Sequence, residues 1–361
     1  MNILIFAGGS GTRLWPISRK STPKQILKLV GDKTLLENTY ERCRSWVKQD
    51  RIFIATLNDY KNVIKKQLPE IPISKYSLEP VLRDRGPAIA LAALIMHHDD
   101  PESTFMTMWS DHHIKEPRNY FKKLLQSAEK YLNNNPNKVL TIGVKPTHPH
   151  TGFGYIKKQS KIPNKLGLPL FKVNSFKEKP DLKTAEKFLK SGKYLWNSGY
   201  FIWKTKTLLD LYKKHLPEVY ELLNKMEPYI GTKKQQWAIN KFYPLMPKVE
   251  IENGIIEKIK NDITTIEAGF DWIDIGSWKE IKDVQSKQKE NFSRGLHLGH
   301  ETSNSLIYNF NPKQLVTTLH TKDLVIIVTP DAVLISDKDK SIELKEIIKK
   351  LKEDKTFKKY L

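Results

Sequence analysis

Residues 2–25 read NILIFAGGSGTRLWPISRKSTPKQ, and the fold is decided here. NILIFA (2–7) is a short apolar run closed by Gly8, Gly9 and Gly11. That is the pattern of a buried first strand of a parallel sheet running into a tight turn. Glycines leaving a strand bring backbone N–H groups close to a bulky anion, and such turns bind phosphate oxygens. Two familiar glycine loops fail on the residues themselves. A Walker A loop ends in Gly-Lys-Ser/Thr, whereas Gly11 is followed by Thr12 and Arg13. A dinucleotide fingerprint needs a third glycine at position 14, which is Leu14. Arg13 directly after the glycines and Lys24 after Pro23 supply two cations beside the backbone cradle. That set suits a triphosphate, whose charge the cations neutralise.

Outward from this turn, helical spacing over 34–48 (Leu35, Leu36, Tyr40, Trp46, Val47) leads to a strand at 52–55. An alanine-rich apolar helix at 88–97, a strand at 104–108, an amphipathic helix at 119–132 and a strand at 139–144 follow. This alternation predicts an α/β sheet built from right-handed crossovers. From about 150 to 205 the pattern becomes β-rich, with strands near 154–158, 171–178 and 200–204 and a helix at 181–191. A helical stretch at 205–245 precedes a strand at 263–268 and an aromatic turn, FDWIDIGSW (270–278). After a lysine-rich helix near 278–290 come short strands at 305–308, 315–319, 324–329 and 332–336, then an amphipathic helix at 341–352. The expected domains are 1–288 and a small β-rich unit at 289–361.

The chain has 361 residues, 39% hydrophobic and 10% aromatic, which suits one large or two modest globular domains. Its lone cysteine, Cys43, excludes an intrachain disulfide and argues against a cysteine zinc site. No apolar run approaches the roughly 20 residues of a membrane span. The apolar start lacks the basic lead-in of a secretory signal. A cytoplasmic protein without a membrane partner is expected. The charge of +21 comes from 61 Lys+Arg against 40 Asp+Glu. The excess is scattered lysine, with no basic helix interleaved with aromatics, so no nucleic-acid partner is expected.

The string at 6–25 resembles the signature of sugar-nucleotide pyrophosphorylases, the sugar-1-phosphate nucleotidyltransferases. Gly-Gly-Ser-Gly-Thr-Arg-Leu-Trp-Pro, then Ser-Arg, then Pro-Lys-Gln is similar to the mannose-1-phosphate guanylyltransferase branch. Sister uridylyl- and thymidylyltransferases usually lack the Trp and the Pro-Lys-Gln ending. The resemblance implies a Rossmann-like, GT-A-like catalytic domain on a mixed, mainly parallel sheet. It also implies a β-helix-like C-terminal domain, because 304–308, 323–325 and 329–332 resemble the guanylyltransferase tail. The chain is expected to end without the fused cupin-like isomerase domain that some relatives carry.

The implied reaction transfers GMP from GTP to α-D-mannose 1-phosphate, giving GDP-mannose and pyrophosphate, with Mg²⁺ as cofactor and a homodimer as the assembly. Ala7, Gly8, Gly9, Ser10, Gly11, Thr12, Arg13 and Lys24 would hold the nucleotide. Asp111, in Trp-Ser-Asp-His-His at a strand end, and Asp274, in DWIDIGSW, would hold the metal, a hard ion suited to carboxylates. Nothing spaces His112 and His113 as a metal pair, so they read as structural or solvent-facing. Glu178 and Lys179, in Phe-Lys-Glu-Lys-Pro, would meet the sugar hydroxyls and phosphate. Asn197 and Gly154 would line the sugar pocket. Arg13, Lys24, Asp111 and Lys179 form the implied catalytic set.

Glu79, with Pro87 and Ala88, is expected at the base. Guanine presents N1–H and N2–H₂ on one edge, and one carboxylate accepts both. The chain departs from the family at this point. Guanylyltransferases of this type usually read Arg-Asn-Thr-Ala-Pro-Ala, whereas residues 83–88 read Arg-Asp-Arg-Gly-Pro-Ala. Asp84, Arg85 and Gly86 therefore keep open a different sugar 1-phosphate, such as a heptose, or another nucleotide. A non-catalytic regulator on the same fold is the other alternative.

Overall fold

The computed structural model describes every residue except Ser10 and Gln288, and all side chains but theirs and that of Thr12. In chain order the first eleven strands are β1 (Asn2–Phe6), β2 (Ile52–Leu57), β3 (Tyr76–Glu79), β4 (Thr104–Trp109), β5 (His112–Lys115), β6 (Val139–Val144), β7 (Tyr155–Lys161), β8 (Leu170–Lys177), β9 (Tyr194–Lys204), β10 (Ile263–Glu267) and β11 (Asp271–Asp274). Nine of them form one sheet in the order β3-β2-β1-β4-β9-β6-β10-β8-β7. The molecule divides into two compact units, 1–7 with 40–109 and 115–271, and 8–39 with 110–114 and 272–361.

In the first unit β3-β2-β1-β4 run parallel, as the alternation predicts. The sheet as a whole is mixed and mainly parallel, as the resemblance implies, with two strands running against the rest. β9 is antiparallel to both β4 and β6, and β8 is antiparallel to β7 and β10. β9 returns through the middle of the sheet, where crossover logic places another parallel strand. β9 also begins six residues before the expected strand, so Asn197 is a strand residue. Its pairing with β6 slips between Thr141 and Gly143, opposite Asn197. Such a bulge re-aims neighbouring side chains. The helix Arg85–Asp99 is buried at every residue from Gly86 to Met96. An apolar surface all round requires a helix enclosed on every side. The expected stretch at 205–245 is three helices, Thr205–His215, Pro217–Met226 and Gln235–Phe242. β3 was not expected.

In the second unit the C-terminal strands are β12 (Phe292–Arg294), β13 (His297–His300), β14 (Leu306–Asn309), β15 (Val316–Leu319), β16 (Leu324–Val328) and β17 (Val333–Asp337). β12, β14 and β16 stack in parallel, β17 closes that ladder antiparallel, and β13 pairs parallel with β15. Short parallel rungs of this kind make the C-terminal region β-helix-like. Its core takes in part of the opening string: Leu14 and Trp15 pack with Ile275, Trp278, Tyr308, Leu344 and Ile348. Trp278 Nε1 donates to Trp15 O at 3.1 Å, and Trp15 Nε1 donates to Tyr360 O at 2.8 Å. The segment expected as an aromatic turn contains a strand, β11, because it finds a partner in β5.

Candidate active site

In the second unit the β5–β11 ribbon brings two distant carboxylates together. Asp111 lies in the turn just before β5, and Asp274 ends β11. Ile275 N donates to Asp111 O at 3.0 Å, fixing the two segments. Ligand atoms of Asp111, His112 and Asp274 lie within 4.8 Å of one another. Lys24 Nζ pairs with Asp111 Oδ2 and lies 3.3 Å from Ile275 O. Burial works to raise the Asp111 carboxyl, but the Lys24 ammonium brings it below the ordinary range.

The donor set can be tested for a cation. His112 is buried, and its Nδ1 accepts from Trp272 Nε1 at 3.1 Å. A neutral ring that accepts at Nδ1 carries its proton on Nε2, so the imidazole is committed to structure. Two carboxylates remain, and oxygen donors of this kind suit a hard divalent ion. Gly11 sits at φ +60°, and a Cβ there would come within 2.6 Å of Lys24 Cβ. Glycine at this point therefore lets the loop lie on the lysine. Arg13 is exposed, with its guanidinium beside Gly276. Ser10 lies outside the described residues, as does the Thr12 side chain.

In the first unit the structure gathers the expected sugar residues. Asn197 N donates to Gly154 O at 2.8 Å, and Gly154 lies against the Glu178 carboxylate. Asn197 spends its amide within the protein, donating from Nδ2 to Glu252 Oε1 at 3.2 Å and accepting at Oδ1 from Gly199 N at 3.0 Å. Lys179 is exposed and its Nζ lies 3.1 Å from Glu178 Oε1. Glu79 is brought instead to Tyr243, whose hydroxyl donates to Oε2 at 2.5 Å. Burial pushes the Glu79 carboxyl up to about 7, although the tyrosine bond opposes the rise. Ala7 is buried, its N–H bound to Ala55 O and its carbonyl to Thr56 Oγ1. Pro87 and Ala88 are buried at the start of their helix.

Tyr243, Glu250 and Glu252 were missed by sequence reasoning. Glu252 is fully buried and paired with Arg85, Nη1 to Oε1 at 3.0 Å. Its surroundings, Ile-Glu-Asn-Gly-Ile-Ile at 251–256, carry no local pattern that marks the carboxylate as buried.

A family model described as nucleotidyl transferase matches residues 2–291, and one described as a MannoseP isomerase/GMP-like β-helix domain matches 295–351. A mannose-1-phosphate guanylyltransferase of Salmonella typhimurium is 33% identical over 97% of this chain and 72% of its own length. The mannose-1-phosphate guanylyltransferase of Escherichia coli K12 is 31% identical over 97% and 73%. The chain belongs to the nucleotidyl transferase family, in its mannose-1-phosphate guanylyltransferase branch. A crystal structure described as a mannose-1-phosphate geranyltransferase, from Thermus thermophilus, matches with a TM-score of 0.84 and 29% identity. It covers 97% of this chain and 99% of that one. Members of the family generally use a divalent metal, and Asp111 with Asp274 is the candidate place for one. Among the described residues no helix is long and apolar enough to cross a membrane.

Proposed function

We propose that this chain transfers GMP from GTP to α-D-mannose 1-phosphate, releasing pyrophosphate and forming GDP-mannose. The observation that carries the reading is the meeting of Lys24, Asp111 and Asp274 from three separate segments. The names of its relatives point to the same reaction. A phosphate dianion is already a nucleophile, so the protein's task is positioning and charge neutralisation. Lys24 and Arg13, with the amides of Gly8–Gly11, would hold the triphosphate. The sugar phosphate then attacks the α-phosphorus in line with the departing pyrophosphate. Asp111 and Asp274 would hold Mg²⁺, which when bound neutralises charge on the reacting phosphates. Glu79 would accept both donors of the guanine edge, with Tyr243 fixing its rotamer. Gly154, Glu178 and Asn197 would line the sugar pocket, and Lys179 would meet the sugar phosphate.

The domain limits 1–288 and 289–361, a cytoplasmic location and a homodimer belong to the same proposal. Exposed Leu298 and Leu319 on β13 and β15 are a motive for the dimer. The test is pyrophosphate release with Mg²⁺, crossing GTP, ATP, UTP, CTP and dTTP with mannose, glucose and heptose 1-phosphates. Turnover confined to GTP with mannose 1-phosphate is expected. Preference for another sugar would keep the mechanism and favour the second reading, which Arg85 motivates. Inactivity with every pair would overturn the assignment.

A further inference from the structure

The departure at 84–86 builds a network that the reaction as described does not use. Asp84 takes φ +64° just ahead of the helix Arg85–Asp99. Gly86 N donates to Val249 O at 2.9 Å, and a Cβ on Gly86 would land 2.5 Å from that same oxygen. Only glycine allows the helix start to dock so closely on the segment ending in Glu250 and Glu252. Arg85 is thereby set among three carboxylates. Its Nε lies 2.6 Å from Glu250 Oε2, its Nη1 3.0 Å from Glu252 Oε1 and its Nη2 4.0 Å from Glu178 Oε1. The guanidinium also sits over the Trp109 ring, 5.7 Å from its centroid, within cation–π range.

Two of these carboxylates lead to residues read as the sugar pocket. Glu178 is one of them. Glu252 Oε1, shared with Arg85, also accepts from Asn197 Nδ2. The far oxygens, Glu178 Oε2 and Glu252 Oε2, are buried and have no hydrogen-bond partner among the described residues. A buried acceptor without a donor is costly, and a ligand hydroxyl removes that cost. Without the guanidinium, three carboxylates would repel one another, and side chains in contact with a lone buried charge rearrange.

We propose that Arg85 is a positioning residue of the sugar pocket, holding Glu178 directly and Asn197 through Glu252 in the attitude that selects the hydroxyl pattern of the sugar 1-phosphate. The planar fork matters, because its Nε bonds Glu250 while its two amino groups face Glu252 and Glu178 as ion pairs. The proposal rests on reading Gly154, Glu178 and Asn197 as the sugar pocket.

Wild type, Arg85→Met, Glu252→Gln and the double variant are compared by pyrophosphate release, with KM for GTP and for the sugar 1-phosphate measured separately. The sugar is mannose 1-phosphate or whichever 1-phosphate the wild type prefers. Arg85→Met should raise the sugar KM about tenfold or more and leave the GTP KM within about twofold, the scale of coupling inside one hydrogen-bond network. Adding Glu252→Gln should recover at least about threefold by the same coupling. Equal rises in both KM values, an unchanged sugar KM, or no recovery in the double variant would overturn the proposal. A melting curve shows whether Arg85→Met folds. If it does not, Glu252→Gln alone decides, with the same split in KM expected. A wild type inert toward every pair overturns the underlying function and this proposal with it, whereas an active wild type indifferent to Arg85 overturns this proposal alone.

Discussion

Asp111 and Glu252 each face a basic side chain, yet the protein treats the two carboxylates in opposite ways. Asp111 keeps some exposure, and the Lys24 ammonium holds its carboxyl below the ordinary range against the effect of burial. Glu252 is fully buried, and burial, with Glu178 adding to it, pushes its carboxyl up to about 7 even though Arg85 pulls the other way. Around Asp111 one carboxylate meets one ammonium and a second carboxylate stands close by. Around Glu252 three carboxylates answer to Arg85 and Lys179, so acceptors outnumber cations. The first arrangement keeps a charge ionised for phosphates and a metal. On the proposed reading, the second would present hydrogen-bond acceptors to the hydroxyls of the sugar.

The largest break in this comparison comes from the metal. Chelation with EDTA should abolish pyrophosphate release, and added Mg²⁺ should restore it. Turnover surviving chelation would show that the Asp111 and Asp274 pair serves only Lys24. Next in size is Lys24→Ala. Removing one preorganised charged donor lowers kcat/KM by roughly 10²–10³. Steady-state kinetics with a near-normal value would remove Lys24 from the chemistry and leave it a structural partner of Asp111.

How much of this was legible in the sequence divides along the same line. The glycine turn and the lysine it lies on were readable because Gly8 to Lys24 is contiguous, and the motif lies in residue order. Asp111 and Asp274 were readable through resemblance, but their meeting depends on the β5–β11 ribbon, half of which was expected to be a turn. The aromatic string 270–278 carries no alternation that marks β11 as a strand, because its pairing is supplied by a partner far away. Glu252 and Tyr243 were not legible at all. Each acquires its role from a bond across more than 50 residues, with Asn197 and Glu79 respectively, and neither position has a local pattern to announce it. The parallel half of the sheet followed from strand–helix alternation. The antiparallel course of β9 did not, since direction within a sheet is set by connections and not by composition.

A sharper and smaller test concerns Glu79. Its carboxyl, raised to about 7 by burial, would accept both donors of the proposed guanine edge only when ionised. The ionised fraction grows as pH rises through 7, so the KM for GTP should fall between pH 6 and pH 8. The Tyr243 bond opposes the rise, so Tyr243→Phe should move the midpoint of that profile upward. Glu79→Gln should flatten it and weaken discrimination between GTP and ATP by about 1–3 kcal/mol, the usual worth of one pocket interaction in telling two substrates apart. A profile that keeps its slope in Glu79→Gln would place the titrating group elsewhere.

The smallest effect is expected where the string 6–25 is tied to the C-terminal ladder. Arg19 Nη1 and Nη2 each lie 2.7 Å from a carboxylate oxygen of Asp331, and Arg19 Nε donates to Pro16 O at 2.9 Å. The pair is bidentate, which favours strength, but Asp331 is nearly half exposed, which screens it. The same unit already holds Trp15 through Trp278 and Tyr360, in a core that includes Leu14, Tyr308 and Ile348. Arg19→Ala should therefore cost less than about 1 kcal/mol of stability in a denaturant titration, and less still in high salt. Trp278→Ala removes a fully buried indole from that core and should cost about 3–5 kcal/mol. If Arg19→Ala proved the costlier of the two, the ion pair and not the tryptophan core would be what holds the downstream half of the string 6–25 to the ladder.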